Sequence, residues 1–210
     1  MQEVSPIKLK QGLMLPVMES FYTIQGEGIQ TGRAAYFIRL GGCDVGCVWC
    51  DVKGSWNADA HPLFSVEEIV KKASVEEGRF VVITGGEPCM YDLVPLSRLL
   101  KEKGFEIAIE TSGAYPLSGE MDWVCVSPKK FKAPLAESII QAHEMKVVIY
   151  NTSDFKWAEE QAQKVNSNCE LLLQPEFSKF DAIMPQIIDY VKHNPKWRIS
   201  LQTHKIINVP

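Results

Sequence analysis

Short apolar runs alternate with amphipathic stretches along most of the chain. Ala34–Leu40 (AAYFIRL), Arg79–Thr84 (RFVVIT), Phe105–Glu110 (FEIAIE), Asp122–Ser127 (DWVCVS), Met145–Tyr150 (MKVVIY), Cys169–Leu173 (CELLL) and Trp197–Gln202 (WRISLQ) read as buried strands. Helical patterns fall between them. Ser65 and Glu68 form a capping box that opens a helix to about Glu77, with Val66, Ile69, Val70 and Ala73 on one face and Gly78 as its stop. Further helices are expected over Tyr91–Lys103, Ala136–Ala142, Asp154–Val165 and Phe180–His193, the last with Pro185 in its first turns. Ahead of them, Met14–Met18 reads as a short edge strand. The glycines at 26, 28 and 32 mark the stretch from Phe21 to Arg33 as a loop with unusual backbone angles or close backbone approach. The tail from Thr203 to Pro210 closes the chain.

This alternation predicts an α/β fold with a mostly parallel sheet. With 210 residues the chain is shorter than the ~250 typical of a complete eight-unit barrel, so an incomplete parallel (β/α) barrel is expected. We read residues 1–210 as a single domain, with 1–32 an N-terminal extension and substrate loop and 33–210 the partial barrel. Polar and Gly/Pro clusters recur just after the strands: a cysteine loop, then GGEP, ETSG, SPK, QPE and QTH. The carboxyl ends of parallel strands are where sites gather, so six clusters at corresponding places predict one shared site.

Composition narrows the class. Hydrophobic residues make up 46% and charged residues 23%, enough apolar surface for a globular core. The net charge of −4 gives no reason to expect a nucleic-acid partner. No run approaches the ~18 apolar residues of a membrane span, and Met1–Gln11 lacks the apolar centre of a signal peptide, so a cytoplasmic protein is expected. Six cysteines are too sparse for a disulfide scaffold, and three of them are clustered, which points to metal or redox chemistry.

Those three are Cys43, Cys47 and Cys50, spaced C-x3-C-x2-C. Such a loop can aim three thiolates at an iron–sulfur cluster that keeps one iron open. A zinc site would use similar spacing with a fourth ligand, for which His61 is the candidate. An open iron could bind a small ligand through an amine and a carboxylate. Glu87, in Gly85-Gly86-Glu87-Pro88, offers a carboxylate on a tight loop to accept from the amine. Arg39 lies inside an apolar strand, where it is costly to bury unless it meets an anion.

CDVGCVWC together with GGEP resembles the radical S-adenosylmethionine (SAM) superfamily. With FYTIQGEG, Arg39, ETSG, SPK, QPE and QTHK the chain resembles the 7-carboxy-7-deazaguanine synthase family, from about Phe21 to the C-terminus. The resemblance implies a lyase of 7-deazapurine and queuosine biosynthesis. It would convert 6-carboxy-5,6,7,8-tetrahydropterin to 7-carboxy-7-deazaguanine with loss of ammonia, through a radical ring contraction. It implies a 4Fe-4S cluster on Cys43, Cys47 and Cys50, with SAM held by Trp49, Cys50, Asp51, Gly86, Glu87, Ser127, Pro128, Lys129 and the turn Gln174-Pro175-Glu176-Phe177. The pterin would lie across Ile24, Gln25, Gly26, Glu27 and Thr84. Arg39 would take its carboxylate, and His204 and the C-terminal carboxylate of Pro210 would close the pocket. Family members usually follow the last cysteine with Asp and then Ser or Thr, whose hydroxyl helps place Mg2+. Here Asp51 is followed by Val52, so a weakened or altered magnesium dependence is expected. A flavodoxin or ferredoxin reductant and a homodimer are implied as well. The competing readings are an activase of a glycyl-radical enzyme and a non-catalytic, zinc-stabilised binding protein.

Overall fold

The computed structural model describes residues 9–210. Nine strands form one sheet: β1 (Met14–Ile24), β2 (Ala34–Leu40), β3 (Leu63–Ser65), β4 (Phe80–Gly85), β5 (Glu106–Thr111), β6 (Trp123–Val126), β7 (Glu144–Ile149), β8 (Glu170–Pro175) and β9 (Trp197–Ile199). The spatial order is β3-β1-β2-β4-β5-β6-β7-β8-β9. β1 runs antiparallel to both β2 and β3, and every pairing from β2 onward is parallel. The helices are α1 (Val66–Ala73), α2 (Val94–Glu102), α3 (Ala136–Ile139), α4 (Ser153–Ala162), α5 (Phe180–His193) and α6 (Thr203–Ile207). This is the expected α/β incomplete barrel.

The period-two alternation of side chains divides each strand between two environments. Tyr36, Ile38 and Leu40 of β2, Val81 and Ile83 of β4, Ile107 and Ile109 of β5 and Val147 and Ile149 of β7 share one core. Ile69 and Val70 of α1, Leu96 and Leu100 of α2, Ala158 of α4 and Ile183 and Ile187 of α5 join them there. Both partners are apolar, and burying each Val, Leu or Ile side chain is worth about 1.5–3 kcal/mol, which holds the helices against the sheet. The opposite face carries a smaller apolar floor of Ala35, Phe80, Val82 and Ala108, with Phe37 and Trp123 against it. Nearer the carboxyl ends that same face turns polar, with Arg39, Thr84, Glu110, Lys146 and Gln174. Register places Arg39 beside Thr84, two residues beyond the Phe37–Val82 pair. The cavity described below lies over this polar layer.

The capping box is present: Ser65 Oγ accepts from Glu68 N at 3.2 Å, and Glu68 Oε2 accepts from Ser65 N at 2.8 Å. The helix stops at Ala73 rather than near Glu77, and Ser74 Oγ donates back to the Val70 carbonyl at 2.7 Å. α2 begins at Val94 rather than Tyr91. Asp92 Oδ1 accepts from Val94 N at 3.0 Å, Pro95 occupies its first turn, and Pro88–Met90 forms a separate 3-10 turn.

The larger correction is at the N-terminal side. β1 does not end at Met18 but runs to Ile24, pairing Phe21, Tyr22, Thr23 and Ile24 with Phe37, Tyr36, Ala35 and Ala34. The β-forming side chains win over the turn signal of the following glycines. The loop is therefore confined to Gln25–Arg33, closed by Gln25 N to Arg33 O and Gly32 N to Gln25 O, both 2.8 Å. β3 and α6 were not expected, and β9 stops at Ile199 rather than Gln202. Among the described residues, no helix is long and apolar enough to cross a membrane.

Candidate active site

At the carboxyl ends of the strands lies one cavity of about 270 Å³, with a thiol end and a polar end. β2 releases the chain at Gly41 and Gly42 into the cysteine loop. The loop is tied to its own return segment by Gly42 N to Ser55 O (2.6 Å) and Cys43 N to Trp56 O (3.1 Å). Cys43, Cys47 and Cys50 are all free thiols and all line the cavity. Burial pushes the Cys43 and Cys47 thiols up, and nearby Lys129 partly opposes this at Cys47. Thiols shielded from solvent along one wall become thiolates most readily against a cationic metal centre. His61 is not part of this set: its Nε2 lies 2.9 Å from the Gly54 carbonyl, with the ring against Gly41. Among the described residues, no three His, Cys, Asp or Glu side chains form a single-ion site. His61 is thus not placed as the fourth ligand of a zinc site, and three thiols lining one cavity are the donor set of a cluster with one free iron.

The GGEP loop docks directly on the cysteine loop. Gly86 N donates to Leu40 O and Glu87 N to Gly42 O, each at 2.9 Å. A Cβ at position 86 would lie 2.3 Å from Gly42 O and 2.7 Å from Cys43 Cβ, so only glycine permits this approach. Gly85 and Gly86 line the cavity, but Glu87 does not. This corrects the expectation that its carboxylate accepts from a ligand amine. The Glu87 side chain has no solvent exposure and is turned into the protein. It accepts from Thr111 Oγ1 (2.6 Å), Ser112 N (2.8 Å), Ser112 Oγ (2.5 Å) and Cys89 N (3.0 Å). Four donors saturate both oxygens, so Glu87 braces the GGEP loop against the ETSG loop after β5. Pro128 is likewise buried behind the wall, while Ser127 and Lys129 line it. Lys129 Nζ donates to the Ser127 carbonyl and hydroxyl, both at 2.6 Å, and lies 5.7 Å from the Trp49 ring. Trp49, Asp51 and the Gln174–Phe177 turn complete this side.

At the polar end, Ile24, Gln25, Gly26, Glu27, Arg39, Thr84, His204 and Pro210 all line the cavity. Gln25 Nε2 donates to Glu110 Oε1 at 2.9 Å, and its Oε1 accepts from Glu27 N at 3.0 Å. Arg39 Nε pairs with Glu19 at 2.6 Å, and its terminal nitrogens donate to nothing among the described residues. His204 packs on Gly26, and burial lowers its pKa, leaving the ring neutral at pH 7. Thr203 N and Oγ1 both donate to the Gly26 carbonyl at 2.9 Å, which docks α6 onto the hairpin loop. Thr23 Oγ1 donates to the Pro210 carbonyl at 3.3 Å.

Sequence reasoning missed the centre of this end. Lys146, about 3% exposed, forms an ion pair with Glu27 and lies 3.5 Å from Glu110. Burial alone would raise the Glu27 pKa, but the Lys146 charge and hydrogen bonds from Lys146, Gln202 and Gln174 outweigh it and hold the group at about 2. Burial would lower Lys146, but Glu110 and Glu27 hold it well above the usual lysine range. The signal was present in MKVVIY, where a lysine interrupts an apolar strand just as Arg39 does in AAYFIRL. Thr111, Ser112 and Gln202 also line the cavity and were not singled out.

Comparison with known proteins agrees with this arrangement. The family model of the radical SAM superfamily matches residues 37–126. The 7-carboxy-7-deazaguanine synthase of Flavobacterium psychrophilum is 57% identical over 97% of this chain and 97% of its own. The synthase of that name from Synechocystis is 46% identical over 98% of this chain and 99% of its own. The crystal structure of QueE from Escherichia coli superposes with a TM-score of 0.83 at 32% identity, covering 95% of this chain and 99% of that one. Full-length identity on this scale, joined to a cavity that gathers the cysteine, GGEP and QGEG loops, means that the chain belongs to the 7-carboxy-7-deazaguanine synthase family of radical SAM enzymes.

Proposed function

We propose that this chain converts 6-carboxy-5,6,7,8-tetrahydropterin to 7-carboxy-7-deazaguanine with loss of ammonia, in the synthesis of 7-deazapurines such as queuosine. One observation carries the reading: a single cavity joins three thiols and Gly86 at one end to amide, carboxylate and ammonium groups at the other. By family the chain is a radical SAM enzyme that uses a 4Fe-4S cluster and SAM. In this reading Cys43, Cys47 and Cys50 hold the cluster. Gly85, Gly86, Trp49, Asp51, Ser127, Lys129 and the Gln174–Phe177 turn hold SAM, with Glu87 and Pro128 supporting from behind the wall. When bound, cluster and cofactor together supply the radical that removes a hydrogen atom from the substrate.

The chain's own residues bind and orient. Carboxylates only accept, so Glu27 suits the ring N–H and amino donors of a pterin edge, and Gln25 can both donate and accept. The terminal nitrogens of Arg39 form a fork for the substrate carboxylate. Thr84 and the neutral His204 each supply a donor and an acceptor. α6 and Pro210 cover the polar end and exclude water. The reading extends to residues 1–210 acting as one radical SAM domain. It also includes a flavodoxin- or ferredoxin-like reductant, a cytoplasmic homodimer, and no nucleic-acid or membrane partner. Magnesium, implied by the family resemblance, does not match the residues present. Val52 offers no side-chain oxygen, and Asp51 is already paired with Lys205 at 3.2 Å. No step here uses it.

The test is anaerobic reconstitution with iron and sulfide, followed by SAM, dithionite and the carboxytetrahydropterin, with the product identified by mass. We expect 7-carboxy-7-deazaguanine from the wild type and none from Cys47→Ala. Release of 5′-deoxyadenosine without product would discard the substrate assignment and keep the radical chemistry. Neither product from a protein with an intact reducible cluster would overturn the reading.

A further inference from the structure

Asp51 and Val52 follow the last cysteine, and both line the cavity. Lys205, on α6, reaches across from the far end of the chain. Its Nζ lies 3.2 Å from Asp51 Oδ2 and 3.0 Å from Gln202 Oε1, and 4.4 Å from the centre of the Phe177 ring. An acidic, an amide and an aromatic acceptor, all three lining the cavity, therefore converge on one ammonium group beside it. A divalent ion such as Mg2+ demands a near-octahedral set of oxygens and leans on one or two carboxylates. Asp51 is engaged by Lys205, Glu176 on the facing turn is taken up by Ser178, and the side chain after Asp51 is a valine. A second cation beside Asp51 would also be repelled by the ammonium.

We propose that Lys205 is the built-in cation of this pocket, held beside Asp51 in the position where a divalent ion would otherwise be recruited, so that turnover requires no magnesium. The placement on α6 couples charge to closure. The helix that brings Lys205 to Asp51 also brings His204 against Gly26, and Gln202, just ahead of it, donates to Glu27 Oε1 at 2.7 Å. Lys205 is thus a positioning residue that joins the C-terminal segment to the cysteine loop while supplying a positive charge. Its link to turnover rests on the function proposed above; its exclusion of a divalent ion does not.

The experiment compares reconstituted wild type, Lys205→Met, Lys205→Arg and the Val52→Thr/Lys205→Met double variant. Turnover is measured with and without magnesium, and manganese(II) binding is read from the free-ion EPR signal. Wild-type turnover should change by less than about twofold on adding magnesium, and Lys205→Met should lose at least about tenfold in kcat/KM, as expected for removing one well-placed charge. Lys205→Arg should keep metal-independent turnover. The double variant should take up manganese(II) and regain turnover with magnesium, whereas the wild type should leave the ion free. The proposal is overturned if the wild type binds manganese(II) stoichiometrically or gains tenfold or more from magnesium. It is equally overturned if Lys205→Met matches the wild type in both measurements. If no variant makes product yet only the double variant binds manganese(II), the substrate assignment fails and the cation assignment stands.

Discussion

Replacing Lys146 with methionine is expected to cost about 1–3 kcal/mol of folding stability and to abolish turnover, because it leaves two partly buried carboxylates without their counter-charge. Lys146, itself buried in a strand, pairs with Glu27 of the hairpin loop and faces Glu110 of the next-but-one strand, and both carboxylates are partly shielded where they line the cavity. Methionine keeps most of the volume, which isolates the charge from a packing defect. The effect should depend on pH in a definite direction. In the wild type the Glu27 pKa is depressed to about 2, so its contribution is fully present above its unfolded value of 4.5 and fades as pH falls toward 2. In the variant, the Lys146 charge and hydrogen bond are lost and only the Gln202 and Gln174 hydrogen bonds oppose burial, so the folded pKa of Glu27 rises. Protonation on acidification then relieves the penalty. The stability gap between the two proteins should therefore narrow from pH 7 to pH 4.5. Urea unfolding at several pH values measures it, and a gap that stays constant or widens on acidification would refute the charge-based account.

The second large effect is expected from Gly86→Ala, which should prevent the cluster from assembling. The added carbon would lie 2.3 Å from Gly42 O and 2.7 Å from Cys43 Cβ. Neither atom is the free end of a flexible side chain, so relief requires the GGEP and cysteine loops to separate. That movement displaces Cys43 and strains the hydrogen bond from Glu87 N to Gly42 O. Iron and sulfide content after reconstitution, and the visible absorbance of the cluster, should both collapse. Gly54→Ala is the control in the return segment of the same loop. There the added carbon meets only Met18 Cε, at 3.4 Å, an ordinary contact. If Gly86→Ala loads iron as well as Gly54→Ala does, the close docking of the two loops is not what organises the thiols.

Much of this protein was legible from the chain alone. Strand–helix alternation specifies the α/β class because side-chain periodicity is local, and Ser65 and Glu68 specify a helix start because their partners lie three residues apart. The C-x3-C-x2-C spacing specifies a three-thiol centre because one short loop contains it. Other features required the tertiary structure, because they depend on groups far apart in sequence. Lys146 meets Glu27 across 119 positions, and Lys205 meets Asp51 across 154. Glu87 looked like a ligand group because a tight Gly/Pro loop normally presents its side chain. Only the arrival of Thr111 and Ser112 from the neighbouring strand turns that carboxylate inward and makes it a brace. Local propensity sets which elements form and which residues end them. Which side chain meets ligand and which meets protein is decided when the sheet brings separate strand ends together, since buried charge and hydrogen bonding are settled by neighbours in space.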